Sequence, residues 1–169
     1  MPWSPSGCKK MTDEECSIFL FSYMKAITQT ANNKNLYRDV LKYIVGSIMI
    51  ASEFRFISRK AYEICNNNCI KNPIPTHSYE EYGLRIEHTI PISLIVDYLL
   101  NLTDAEISES KILELVKAIR ATSLITVEED ILLNKSLKST LPDGYTIEML
   151  LGENPTIPFD IRYKTVGIE

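Results

Sequence analysis

A chain of 169 residues with 45% hydrophobic and 24% charged residues can bury one ordinary core, which excludes a disordered or fibrous protein. No apolar run reaches the roughly 18–20 residues that span a bilayer, and Met1-Pro2-Trp3-Ser4 lacks a secretory signal's basic start and apolar centre, so a soluble, cytoplasmic protein without a membrane partner is expected. The net charge of −4 excludes a uniformly basic surface, so any phosphate contact must come from local clusters.

Thr12-Asp13-Glu14-Glu15 is a capping box, in which Thr12 and Glu15 satisfy each other's free amides. A helix should run from it to about Thr30, with Ile18, Phe19, Tyr23 and Ile27 near helical spacing. Asn32-Asn33-Lys34-Asn35 reads as a loop. The next helix, from about Leu36 to Ala51, is apolar almost all round and should be buried. Ser58 caps a third helix, Arg59 to Ile64, which dissolves into Cys65-Asn66-Asn67-Asn68-Cys69. Pro73 and Pro75 keep the following stretch extended.

Leu84 to His88 reads as a short strand, closed by Pro91, which cannot continue a ladder. An apolar helix, Ile92 to Leu100, follows. Thr103 and Glu106 form a second capping box, opening a helix to about Arg120 with Ile112, Leu115, Val116 and Ile119 on one face. Thr122 to Thr126 reads as a strand, and Thr126 to Glu129 as a third capping box whose helix carries Ile131 through Lys138. Pro142-Asp143-Gly144 turns the chain into an irregular tail with one short helix, about Ile147 to Leu151. The expected fold class is α+β, predominantly helical. N-terminal helices occupy 1–72. A strand, a helical insertion, a second strand and a helix occupy 73–169, the two regions making one compact domain.

The chemistry-bearing residues gather at the end of the first of these strands. The chain has two histidines. His77, in Pro75-Thr76-His77-Ser78, reads as a solvated loop residue, whereas His88 stands beside Glu87. A carboxylate next to an imidazole can supply a metal ligand and a general base within a few ångströms. Neighbours in a regular strand point to opposite faces, so the pair converges only if the strand ends or bends there.

Glu87-His88-x-x-Pro91 resembles the first motif of the HNH endonucleases, which are built on a ββα-metal hairpin and helix. Leu133-Asn134-Lys135-Ser136-Leu137-Lys138-Ser139 sits where that family's helix belongs and resembles its Asn-Lys/Arg-x-x-Lys ending. The resemblance covers about residues 82 to 142. It departs from the family in the helical insertion between the strands, and at the start of the second strand. There the family's asparagine is replaced by Thr122 and Ser123, leaving Ser123 as the candidate that orients His88.

The resemblance implies a metal-dependent HNH-type endonuclease acting on phosphodiester bonds, of DNA before RNA. His88 would be the general base, and Glu87 with Asn134 would hold Mg²⁺ or Mn²⁺, hard cations suited to oxygen ligands. Asp130, one turn before Asn134, reads first as a partner of its helix dipole. Arg85, Lys135, Lys138, Arg162 and Lys164 are the cations nearest in sequence to this strand and helix, and are the expected nucleic-acid contacts. Tyr79, Tyr82 and Tyr163 read as packing or rim aromatics. Two alternatives stand beside this reading. One is a degenerate or partner-dependent nucleic-acid-binding module; the other is a helical interaction protein without catalysis. A protein partner or homodimer is compatible with each. Cys8, Cys16, Cys65 and Cys69, spaced C-x7-C and C-x3-C, lack the usual zinc-knuckle spacings, so free thiols are expected over structural zinc.

Overall fold

The computed structural model describes residues 11–30, 34–50, 54–73, 78–151, 155 and 158–169; Cys8 and His77 lie outside them. The architecture is a predominantly helical α+β fold. In chain order its elements are α1 (Asp13–Thr30), α2 (Arg38–Ile48), β1 (Phe54–Ile57), α3 (Arg59–Asn67), β2 (Leu84–His88), α4 (Ile92–Asn101), α5 (Glu109–Ile119), β3 (Thr122–Thr126), α6 (Val127–Leu137) and α7 (Ile161–Thr165). No helix among the described residues is long and apolar enough to cross a membrane.

Local signals account for most of the helix starts. The Thr12 amide donates to Glu15 Oε2 at 2.8 Å and the Glu15 amide to Thr12 Oγ1 at 3.2 Å ahead of α1. Ser58 accepts from the Ala61 amide at the head of α3, and Thr126 and Glu129 form the reciprocal box opening α6. The Thr103–Glu106 box also forms, but it closes a single 3-10 turn; α5 begins at Glu109, with Ser108 as its cap. Ile107, buried between the two turns, needs extended backbone there to reach the core.

α1 packs on α5, and α2 on α4. Leu20, Met24, Leu41, Val45, Leu99 and Ile112 meet in their common core. Each outer helix is covered on one side only. The buried stripe of α1 is therefore Cys16, Leu20, Met24 and Ile27, while Ile18 and Phe19 are exposed. α2 buries Leu41, Ile44, Val45 and Ile48 and leaves Val40 and Tyr43 in solvent, contrary to the expected all-round burial. Gly46 faces α4 closely, since a Cβ there would come 3.3 Å from Ile92 Cδ1.

The sheet has the order β1-β3-β2, with β1 parallel and β2 antiparallel to β3. β3 is central and buried along its whole length. Leu124 packs on one face with Ala61 and Cys65 of α3; Ile125 packs on the other with Leu133, Leu137 and Tyr163 from α6 and α7. Neither β1 nor α7 follows from the sequence pattern. β1 is four residues long with an irregular register between Phe54 and Phe56. The two expected regions are interleaved across residue 72. β1 and α3 complete the sheet, while α4 and α5 complete the helical layer.

Candidate functional site

The register of β2 on β3 pairs Leu84 with Thr126 and His88 with Thr122. α6 starts at the Leu84 end, where the Val127 amide donates to the Gly83 carbonyl. It then runs back along the strands. Its eleven residues rise about 16 Å, matching the roughly 17 Å of a five-residue strand, so its last turn arrives level with His88.

Arg162 locks that arrangement. Its Nη2 donates to the Leu137 carbonyl at 2.7 Å, and its Nη1 donates to the carbonyls of His88 at 3.0 Å and Thr89 at 3.3 Å. The residue is fully buried, at 0% exposure. It therefore cannot make the phosphate contact expected of it: the guanidinium is committed to the end of α6 and the end of β2. Side-chain alternation in β2 turns Arg85 and Glu87 toward α6. Arg85 Nη1 lies 3.4 Å from Asp130 Oδ2, and Glu87 Oε1 lies 3.6 Å from Arg162 Nη1.

At the strand's end Glu87 and His88 converge. Both line one cleft of about 390 Å³, together with Lys42, Pro91, Lys138 and Ser139. Burial raises the Glu87 carboxyl above the ordinary glutamate value; Arg162 pulls it back and Asp130 pushes it further up. Burial also lowers the His88 imidazole below its ordinary value, and the charge of Arg162 adds to this. The ring is consequently neutral at pH 7, with a buried Nδ1 that makes no hydrogen bond among the described residues.

Ser123 does not orient that ring through its hydroxyl. Ser123 Oγ bonds Thr89 Oγ1 at 3.1 Å, and the residue sits opposite Glu87 in the ladder. Thr122 stands opposite His88, its own hydroxyl buried and without a hydrogen bond among the described residues. Asn134 Nδ2 donates to Asp130 Oδ1 at 2.7 Å. Asp130 thus links Asn134 to Arg85, a larger part than helix-dipole compensation alone.

Glu87, Asp130 and Asn134 carry the oxygen atoms suited to a hard divalent cation. Two protein oxygens are enough for Mg²⁺, which keeps much of its hydration shell; Glu87 lines the cleft, whereas Asn134 stands outside the cleft lining with its amide nitrogen bonded to Asp130. Arg162 already stands as a fixed positive charge against Glu87, so a metal there would share that carboxylate with a guanidinium. Among the described residues, no three His, Cys, Asp or Glu side chains converge as a richer site.

The remaining expected contacts are dispersed. Lys138 lines the cleft. Lys135 is exposed on α6 outside the cleft lining, and Lys164 is exposed and paired with Asp160 at 2.9 Å. Lys42 was not legible as a site residue, because nothing local to α2 shows that its exposed side meets β2. Cys16 and Cys65 are buried in different apolar clusters, and Cys69 is exposed. No family model, curated protein or solved structure matches the chain.

Proposed function

We propose that this cleft hydrolyses phosphodiester bonds of nucleic acid, DNA before RNA, as a metal-dependent endonuclease of the HNH type. The observation that carries the reading is the convergence of Glu87 and His88 in one cleft at the end of β2, with α6 laid alongside. Neutral His88 is the general base that takes a proton from the attacking water. Its burial and the nearby Arg162 keep it unprotonated where hydrolysis must run. Glu87 and Asn134 would hold Mg²⁺ or Mn²⁺, which when bound stabilises charge on the phosphate and on the leaving oxygen. Arg162 positions the strand end that carries the base, and Lys138 meets a phosphate at the cleft wall.

The test is cleavage of supercoiled plasmid by the purified chain with Mg²⁺, Mn²⁺, Ni²⁺ or Zn²⁺, and with EDTA. Nicking that requires metal and disappears in His88→Ala is the expected result. A folded protein that nicks neither DNA nor RNA with any of the metals overturns the reading. One observation favours a binding module without catalysis instead: Arg162 already neutralises the Glu87 carboxylate that would recruit a cation. That reading expects nucleic acid to be retained, with no cleavage and no metal dependence.

A further inference from the structure

We infer that Lys42 of α2 and Lys138 at the end of α6 form a two-walled phosphate clamp across the Glu87–His88 cleft, making α2 part of the substrate-binding site. The ligand class, a phosphodiester backbone, rests on the function proposed above; the identity of the clamp does not depend on catalysis.

Lys42 reaches the cleft because of how α2 sits on α4. Gly46 lets the helices close to contact at Ile92, and Lys42 lies one turn earlier on the same helix face. Its side chain therefore overlies the Pro91–Ser93 corner, and it lines the cleft with His88. Lys138 follows the last turn of α6, which Arg162 ties to the end of β2, and it lines the same cleft. The two lysines come from separate elements and line the same opening as the candidate base.

Neither lysine is committed to a strong partner. Among the described residues Lys42 pairs with Asp39 alone, at 3.6 Å, whose side chain is 94% exposed, and such a solvated pair contributes little and yields readily. Lys138 has no ion pair or hydrogen bond among the described residues. The carboxylate at the cleft, Glu87, faces Arg162, so the lysines are not required to neutralise it. The first turn of α4 opens beside them, and Pro91 gives it no side-chain cap. An anion of extended shape, carrying more than one negative charge, matches two lysines from separate elements lining one cleft with His88. The phosphates flanking a scissile one have that form.

The clamp is tested by DNA binding in the full-length His88→Ala background, where no turnover interferes. The probe is a fluorescein-labelled DNA duplex, followed by anisotropy at several salt concentrations. Lys42→Ala and Lys138→Ala should each flatten the slope of log affinity against log salt by about one unit, and the double variant by about two. Lys42→Arg should restore the slope, and Lys60→Ala, on α3, should leave it unchanged. Thermal melts matching the parent show that the loss is not unfolding. DNA binding whose slope is indifferent to Lys42 overturns the clamp alone. A slope that depends on Lys42, in a protein whose wild type never cleaves, upholds the clamp and sinks the hydrolase. No DNA binding at any salt sinks both.

Discussion

Replacing Arg162 by methionine is the sharpest perturbation of this fold. The methionine keeps most of the buried stem volume but removes the guanidinium. Three backbone carbonyls lose a donor: Leu137 at 2.7 Å, His88 at 3.0 Å and Thr89 at 3.3 Å. Glu87 loses its countercharge at 3.6 Å, and burial already holds its carboxyl above the ordinary value. An acceptor left unsatisfied in the interior costs about 1–3 kcal/mol, and breaking a buried ion pair about 3–5 kcal/mol. These costs overlap, because one guanidinium serves all four groups and Glu87 is 21% exposed on its side chain. A net loss of about 3–5 kcal/mol follows, a large fraction of the roughly 5–15 kcal/mol that holds a domain together. For a chain of this size it lowers the melting temperature by roughly 6–20 °C. Urea unfolding followed by circular dichroism measures it. The double variant Arg162→Met/Glu87→Gln should recover part of the loss, because the stranded carboxylate is gone. A cost below about 1 kcal/mol for Arg162→Met would refute the assignment of Arg162 as the clamp between β2 and α6.

Three other outcomes are expected. His88→Ala should reduce cleavage at saturating metal by about a hundredfold or more while the circular dichroism spectrum is kept; near-wild-type turnover would put the base elsewhere. Glu87→Ala and Asn134→Ala should instead raise the metal concentration needed for half-maximal cleavage, with activity partly regained at high metal, and unchanged titrations for both would remove them as ligands. The lowered His88 imidazole has a sign that can be checked. The unfolded chain binds that proton more readily, so the stability tied to His88 is present above about pH 6.5 and is lost as pH falls through that value toward the lower folded one. Denaturant midpoints on the two sides of that window should differ more in wild type than in His88→Ala, and cleavage should rise with pH along a limb lying below about 6.5.

A fourth expectation concerns the buried carboxylate of Glu129, which accepts from Ser58 Oγ at 2.6 Å and from the Thr126 amide at 2.9 Å. It joins the caps of two helices, and Glu129→Ala should cost about 2–4 kcal/mol in the same urea assay, where less than about 1 kcal/mol would mean the two caps hold independently.

The sequence by itself determined the features whose hydrogen bonds close within a few residues. The boxes at Thr12, Thr103 and Thr126 and the Ser58 cap all form, because each needs only a hydroxyl and an amide three residues on. The bounds of β2 and β3 were legible too, since apolar and β-branched runs end at Pro91 and at a cap. So was the gathering of Glu87 and His88 where a strand stops. Tertiary structure alone decided the rest. β1 exists as a strand because β3 supplies its ladder, and a four-residue segment interrupted by Arg55 carries no pattern of its own. The buried side of α1 and of α2 depends on which face α5 and α4 cover; apolar residues all round a helix leave that choice open. Arg162 looks in sequence like any tail cation. It is buried because three carbonyls and a carboxylate from β2 and α6 converge on it, and these come from chain positions at least 25 residues away. Lys42 joins the cleft for the same kind of reason. Its place is set by the packing of α2 at Gly46 against Ile92, an approach of helix backbone to a side chain that no local periodicity encodes.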